Sequence, residues 1–152
     1  MTIYFYKVND PYGCFSNFSP HPIHLEGLDW KTVEHYYQSH KYAGTAYEDL
    51  MEKIRQAETP EDAAAMGRSP SLTLRSDWEE AKQAVMWKGV LTKFLTHRDI
   101  QEVLLATGDE RIVEDSARDY YWGRGKDGTG RNELGKMLMA VREEIRQRLL
   151  QE

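Results

Sequence analysis

Three stretches of the sequence carry side chains whose types and spacing suit chemistry on a polar substrate. The first is Glu34, Gln38 and Lys41, which a helix places at i, i+4 and i+7 on one side, while Val33, Tyr36 and His40 fall on another. A polar helix face of this kind is ordinarily solvated and carries a weak Glu–Lys relay. Two features distinguish this one. Glu34 falls in the first helical turn, where the helix dipole favours a carboxylate, and the surrounding aromatic residues predict a helix that is half buried. His35 and His40 stand five residues apart, so a regular helix does not bring them to one metal ion, and the HExxH zinc pattern is absent. Both read as packing or surface histidines, and no metal is expected.

The second stretch runs from Trp122 to Lys136 and holds Gly123, Gly125, Gly128, Gly130 and Gly135, five of the eleven glycines in the chain. Repeated glycines let backbone N–H groups approach an anion, and this loop leads into a predicted helix N-terminus, a favourable phosphate site. It matches neither the Walker A loop nor the GxGxxG dinucleotide fingerprint. A flexible surface turn is the competing reading. Asp119 and Trp122 just before the loop, with Arg124, Lys126 and Arg131 inside it, favour a phosphate-bearing ligand. The third stretch, Gly13 to Pro20, sets Phe15 and Phe18 around Asn17. The Asn17 amide suits the edge of a ring or ribose; equally, Asn17 makes a turn and the two aromatics cover the core. Cys14 has no base partner near it in sequence and reads as buried and inert.

The elements that must position these residues follow from periodicity and turn chemistry. A strand over Ile3–Val8 is stopped by Asn9 to Gly13, and a loop follows to Leu28, with a short strand at Pro22–Leu25. Asp29 or Thr32 caps a helix through Tyr42, ended by Gly44. Helices are predicted at Glu48–Ala57 and, behind Thr59-Pro60, at Glu61–Met66. The longest pattern, Asp77–Thr96, repeats Trp78, Ala81, Val85, Lys88, Leu91 and Leu95, joined by Val90 and Phe94, and reads as the central packing helix. A short helix at Asp99–Leu105 ends near Gly108, and short strands are predicted at Arg111–Glu114 and Asp119–Trp122. Asn132 caps a last helix whose stripe is Leu134, Leu138, Val141, Ile145 and Leu149. The fold class is therefore mainly α with a few short β-strands, in a single domain over residues 1–152.

Composition narrows the function classes. The 152 residues are 40% hydrophobic and 30% charged, as in one domain with its own core. Twenty Lys and Arg stand against twenty-five Asp and Glu, a net charge of -5 that argues against a surface built throughout to grip nucleic acid. The acidity is uneven: residues 111–152 hold nine basic and eight acidic side chains, so a phosphate-bearing substrate fits there. One cysteine and five histidines supply neither an internal disulfide nor a cysteine-rich zinc framework. No signal peptide or membrane-length apolar run is visible, and the expectation is a cytoplasmic protein without membrane partners.

Taken in chain order, several short motifs together resemble the NADAR, or YbiA-like, domain. They are Phe15-x-x-Phe18-x-Pro20, the run Trp30-Lys31-Thr32-Val33-Glu34-His35-Tyr36-Tyr37-Gln38, Lys93-Phe94, and Leu104-Leu105-x-Thr107-Gly108-Asp109. Glu114, Asp119-x-x-Trp122-Gly123-x-Gly125 and Asn132-x-Leu134-Gly135 complete the series, which spans nearly the whole chain. The resemblance implies a compact, mainly helical fold and N-glycosidase chemistry without a cofactor. YbiA-like members hydrolyse the C–N bond of phosphoribosylamino-pyrimidine intermediates of riboflavin synthesis; related NADAR proteins remove ADP-ribose from guanine bases of nucleic acid. The implied partner is thus a small phosphoribosyl or ADP-ribosyl substrate, with ADP-ribosylated nucleic acid as the alternative and a non-catalytic module binding ADP-ribose or NAD as a third reading. No fused cyclohydrolase, deaminase or transferase segment is recognised to choose among them.

Under the glycosidase reading Glu34 and Asp119 carry the chemistry, one stabilising an oxocarbenium-like centre or orienting water and the other managing the proton. Gln38 and Lys41 orient or charge-balance Glu34. Trp122 stacks on a base or ribose, and Gly123, Arg124, Gly125 and Gly128 with Asn132 hold phosphate. Asn17, Phe18 and Glu114 complete the expected binding set.

Overall fold

The computed structural model describes all 152 residues. They form two compact units, one contiguous from Pro20 to Thr96 and one split between Met1–Ser19 and His97–Glu152. No helix is long and apolar enough to cross a membrane.

The contiguous unit opens with a hairpin, β1 of this unit being Ile23–Leu25 and β2 Leu28–Trp30, paired antiparallel with Ile23 opposite Trp30. Its two-residue turn, Glu26-Gly27, has positive φ at both positions (58° and 77°), the backbone that matches the twist of paired strands. Residues 28–30 carry no strand signal of their own; they become one by pairing. Helix α1 follows at Val33–His40, and Thr32 is its cap: the backbone there is extended and Oγ1 accepts from the His35 N–H at 3.2 Å. The alternative cap, Asp29, lies in the second strand. Helix α2 is Leu50–Gln56, and α3 is Pro60–Gly67, with the Thr59 Oγ1 accepting from Asp62 N–H and Pro60 at the first position, where its missing N–H costs nothing. Tyr42, Ile54, Ala57 and Ala63 form a small core between these helices, flanked by Leu50, Met51, Leu72 and Leu74.

Helix α4, Trp78–Thr96, buries Trp78, Val85, Val90 and Phe94 of the stripe its apolar periodicity predicts, and its buried face extends beyond that stripe on one side. Of the rest of that stripe, Lys88 and Leu95 are exposed and Ala81 and Leu91 half-buried, whereas Met86, Gly89 and Lys93, which it did not include, are buried. Gly89 explains the burial on that side. A Cβ there would stand 3.0 Å from Val33 Cγ1 and 3.4 Å from the Tyr36 ring, so α1 packs closely on the glycine side of α4.

In the split unit, β3 is Ile3–Phe5 and β4 is Ile112–Glu114, paired parallel with Ile3 opposite Ile112. Helix α5 spans Arg98–Ala106 and α6 Glu133–Leu150, the latter burying Leu134, Leu138, Val141 and Ile145 as predicted, while Leu149 is exposed. Cys14 is half-buried rather than buried. The strand predicted at Asp119–Trp122 does not form. Asp119 Oδ1 accepts the N–H groups of Tyr121 (3.0 Å) and Trp122 (2.7 Å), which closes a turn and removes the donors a ladder would need.

Asn132 precedes α6 but does not cap it with its side chain. Its backbone is left-handed (φ 51°), and its amide serves the open edge of β4: Oδ1 accepts from Glu114 N–H and Nδ2 donates to Ile112 O, both at 2.9 Å. The side chain thus stands in for the next strand. Replacing Asn132 by Ala should lower unfolding free energy by about 3 kcal/mol, two buried bonds plus left-handed strain; Asn132→Gly, which removes only the bonds, should cost about 1 kcal/mol less. Urea denaturation of the two variants checks the order.

His35, fully buried, gives a second expectation. Its Nε2 donates to Ala57 O at 3.0 Å, so Nδ1 accepts from the Thr32 hydroxyl at 2.8 Å and the ring is neutral. Burial pushes its pKa below the ordinary 6.5, outweighing the opposing bond to Ala57. Because the unfolded chain then binds the proton more readily, stability present above pH 6.5 is lost as pH falls through the depressed value. Chemical denaturation across pH 5–7 should show a shallower pH dependence for His35→Gln than for the parent.

Candidate active site

All eight residues of α1 are buried, polar ones included. The face predicted to be half buried is therefore wholly inside. Glu34, with its side chain 6% exposed, sits in the first turn, where the helix dipole favours its charge. One turn on, Gln38 Nε2 donates to Glu34 Oε2 at 2.7 Å. With its NH2 group directed there, Gln38 Oε1 is buried and accepts no hydrogen bond.

That orientation is enforced from α3. A Cβ on Gly67 would stand 2.0 Å from Gln38 Oε1 and 2.7 Å from its Cδ, so only glycine leaves room for the amide. Lys41 Nζ donates to Gly67 O at 3.1 Å and stands 5.7 Å from the centre of the Tyr37 ring, tying the end of α3 to α1. Arg68, the next residue, brings Nη2 to 3.9 Å from Glu34 Oε2 with its side chain 64% exposed. The result is a carboxylate fixed by one strong amide bond, faced by a cation, at the end of a buried helix. Neither Gly67 nor Arg68 is visible from local spacing. Arg68 lies more than thirty residues from Glu34 in sequence, and Gly67 reads simply as a helix end.

The same helix also fixes its far end. His40 bridges Tyr36 O and Glu26 Oε2, each at 2.8 Å, and Tyr36 donates its phenol to Glu26 Oε1 at 3.1 Å. Burial opposes ionisation of Glu26, but the bond from His40 and its charge hold the carboxyl below its usual range. Burial and the Glu26 charge push the Tyr36 phenol up.

The other predicted site residues belong to the split unit. Asp119 is half-buried and commits Oδ1 to its turn, leaving Oδ2 outside it. Asn17 and Trp122 are buried, 9% and 8% exposed, and Trp122 packs edge-on against Tyr121. Phe18 is half-buried and its N–H donates to Ser16 Oγ. Glu114 ends β4, with its backbone bonded to Asn132 and Arg124. Arg124 pairs with Asp115 at 2.6 Å and lies over the Tyr4 ring.

The glycine loop departs from expectation in one respect that matters. The first N–H groups of α6, on Glu133 and Leu134, donate to Tyr121 O and Trp122 O at 2.9 and 3.0 Å, so the loop itself takes the donors predicted to bind phosphate. Gly123 and Gly130 are needed where the backbone approaches itself, and Gly125 (φ 72°) lies against the Tyr120 ring. Gly128 (φ 80°) faces open space. No three His, Cys, Asp or Glu side chains gather where they would hold a metal ion.

The NADAR domain profile matches residues 4–146. The chain belongs to the NADAR domain family. An N-glycosidase of Nostoc punctiforme is 58% identical over 146 residues, 96% of this chain and 94% of that one. The N-glycosidase YbiA of Escherichia coli is 43% identical over 143 residues, covering 94% and 88% of the two chains. Its NMR structure superposes with a TM-score of 0.91 at 41% identity, over all of this chain and 89% of that one. A riboflavin biosynthesis protein of Zea mays, PYRR, is 42% identical over 94% of this chain, which spans a quarter of that longer protein. Identity at this level over nearly full length carries the enzyme class: this NADAR protein is an N-glycosidase.

Substitutions at two positions, one in each unit, test these readings. Gly67→Ala should displace the Gln38 amide from Glu34 and lower kcat at least tenfold while thermal unfolding shifts by only a few degrees; steady-state kinetics beside a melting curve separates the two. Asp119→Asn keeps the Oδ1 acceptor and should leave stability within about 0.5 kcal/mol, whereas Asp119→Ala should cost about 1–2 kcal/mol. Denaturant midpoints decide that comparison.

Proposed function

We propose that this N-glycosidase hydrolyses the ribosyl C–N bond of phosphoribosylamino-pyrimidine intermediates of riboflavin synthesis, with Glu34 as the carboxylate beside the reacting sugar. The observation that carries the reading is a buried carboxylate held by the Gln38 amide at 2.7 Å. In the reaction the C–N bond breaks with its electron pair leaving on nitrogen, water supplies oxygen to the anomeric carbon, and a proton from that water ends on the leaving nitrogen. Positive charge develops on the sugar before the new bond is complete. A fixed negative charge in surroundings that exclude water stabilises that charge far better than one in bulk solvent, and it needs no reorganisation to do so. Gln38 keeps Glu34 from swinging away, which is the positioning such stabilisation requires.

The substrate choice is supported by the riboflavin role named for the Zea mays relative and by the acidity of the chain, which makes nucleic acid the less natural partner. Glu34→Gln should fold like the parent and lose at least a hundredfold in kcat for release of ribose 5-phosphate, the scale of a lost charged group in acid–base and electrostatic catalysis. A folded Glu34→Gln protein working at the parental rate would remove Glu34 from the chemistry. Asp119→Asn is assayed beside it as the second carboxylate. ADP-ribosylated guanine is the competing substrate in the same assay: release of ADP-ribose with no ribose 5-phosphate from the pyrimidine intermediate would overturn the substrate assignment.

A further inference from the structure

A phosphorylated sugar needs a phosphate donor set, and the one predicted at the start of α6 is occupied by the carbonyls of Tyr121 and Trp122. Two cations stand at the end of α3. Lys41 is tied down, donating to Gly67 O. Arg68 is not. Its backbone N–H is fixed to the end of α3 through the carbonyls of Ala64 and Met66, yet its guanidinium makes no hydrogen bond within the chain, and its approach to Glu34 Oε2, 3.9 Å, is a charge contact beyond hydrogen-bond reach. Glu34 already has a bond from Gln38, and an ion pair exposed on one side contributes little to stability. The fold thus anchors a guanidinium next to the buried carboxylate and leaves its five donors open.

We propose that Arg68 is the phosphate anchor of the substrate: it binds the 5-phosphate of the ribosyl group while Glu34 faces the ring. The inference rests on the glycosidase reading above for the identity of the ligand, but it is carried by the geometry of Arg68. A guanidinium presents a planar fork that meets two phosphate oxygens at once, and a neighbouring carboxylate at 3.9 Å orients it without using its donors. A pentose 5-phosphate carries its anomeric carbon and its phosphate-bearing arm on the two carbons that flank the ring oxygen, so two groups a few ångströms apart serve both. The negative Glu34 repels the phosphate, which keeps the phosphate on the outer side of Arg68 and the neutral ring toward the carboxylate. Arg68 is then a specificity residue that reads the phosphorylated sugar and sets its direction.

Calorimetric titration of the full chain with ribose 5-phosphate and, separately, with D-ribose tests this. Arg68→Ala should weaken ribose 5-phosphate binding at least tenfold without changing any response to D-ribose, Arg68→Lys should fall between, and Arg98→Ala, on the exposed face of α5, should bind like the parent. With the pyrimidine substrate, Arg68→Ala should raise KM by more than it lowers kcat. Unchanged ribose 5-phosphate binding in Arg68→Ala, or a parent protein that does not prefer ribose 5-phosphate to D-ribose, overturns the anchor. Loss of binding in Arg68→Ala from a parent that fails to hydrolyse the pyrimidine intermediate would retain the anchor and sink the substrate reading instead.

Discussion

The structure depends on one constraint: an eight-residue helix in which every residue but Val33 carries a polar group is buried along its whole length. Each of its side chains that can ionise or hydrogen-bond must find a partner inside the protein, because an unpaired buried polar group costs about 1–3 kcal/mol. Those partners fix the neighbours. Thr32 and Ala57 O take His35, Glu26 takes His40 and Tyr36, Tyr36 O takes the Ser39 hydroxyl, and Gly67 O takes Lys41. The hairpin turn, the end of α2 and the end of α3 are each held where a side chain of α1, or the lysine just beyond it, requires them. Against this pattern of satisfaction, the unbonded oxygen of Gln38 is a local cost retained so that its NH2 group points at Glu34.

The split unit uses the reverse economy, with backbone satisfying backbone and side chains filling in for missing strands. Residues 120–123 accept from residues 131–134, and Asn132 completes the edge of β4. The glycines between them permit these close approaches; a Cβ at Gly130 or Gly135 would stand within 2.5 Å of backbone atoms. Glycine-rich sequence before a helix is equally compatible with an anion cradle and with a chain folded back on itself. Only the hydrogen-bond partners of the first helical amides separate the two cases, and these lie more than ten residues upstream.

The fold was legible in the sequence wherever the signal was local. Thr59-Pro60 starts α3, the stripe from Leu134 to Ile145 packs inward, and Gly108 takes the left-handed backbone just past the end of α5. It was illegible where a tertiary contact overrode periodicity. Trp78, Val85, Val90 and Phe94 of α4 follow the apolar repeat, but the burial of Gly89 where α1 approaches is a fact of helix spacing that no apolar repeat encodes. Within the site, Glu34 and Gln38 could be paired from their i, i+4 spacing, because a helix makes that contact by itself. Gly67 and Arg68 could not, since the loop and the two helices that return them to Glu34 leave no periodic trace.

The parallel pairing of Ile3 with Ile112 has a consequence for how the chain reaches this state. Residues 20–96 hold all the strands and helices of one unit in an unbroken stretch, so that unit can assemble as soon as its own residues are present. The other unit must close a loop of more than a hundred residues before β3 gains its partner, and closure entropy makes such a contact slow. During synthesis the first nineteen residues therefore wait for the last third of the chain. The helix that carries Glu34 can be complete while Ile3 and Phe5, both buried at the end, are still in water.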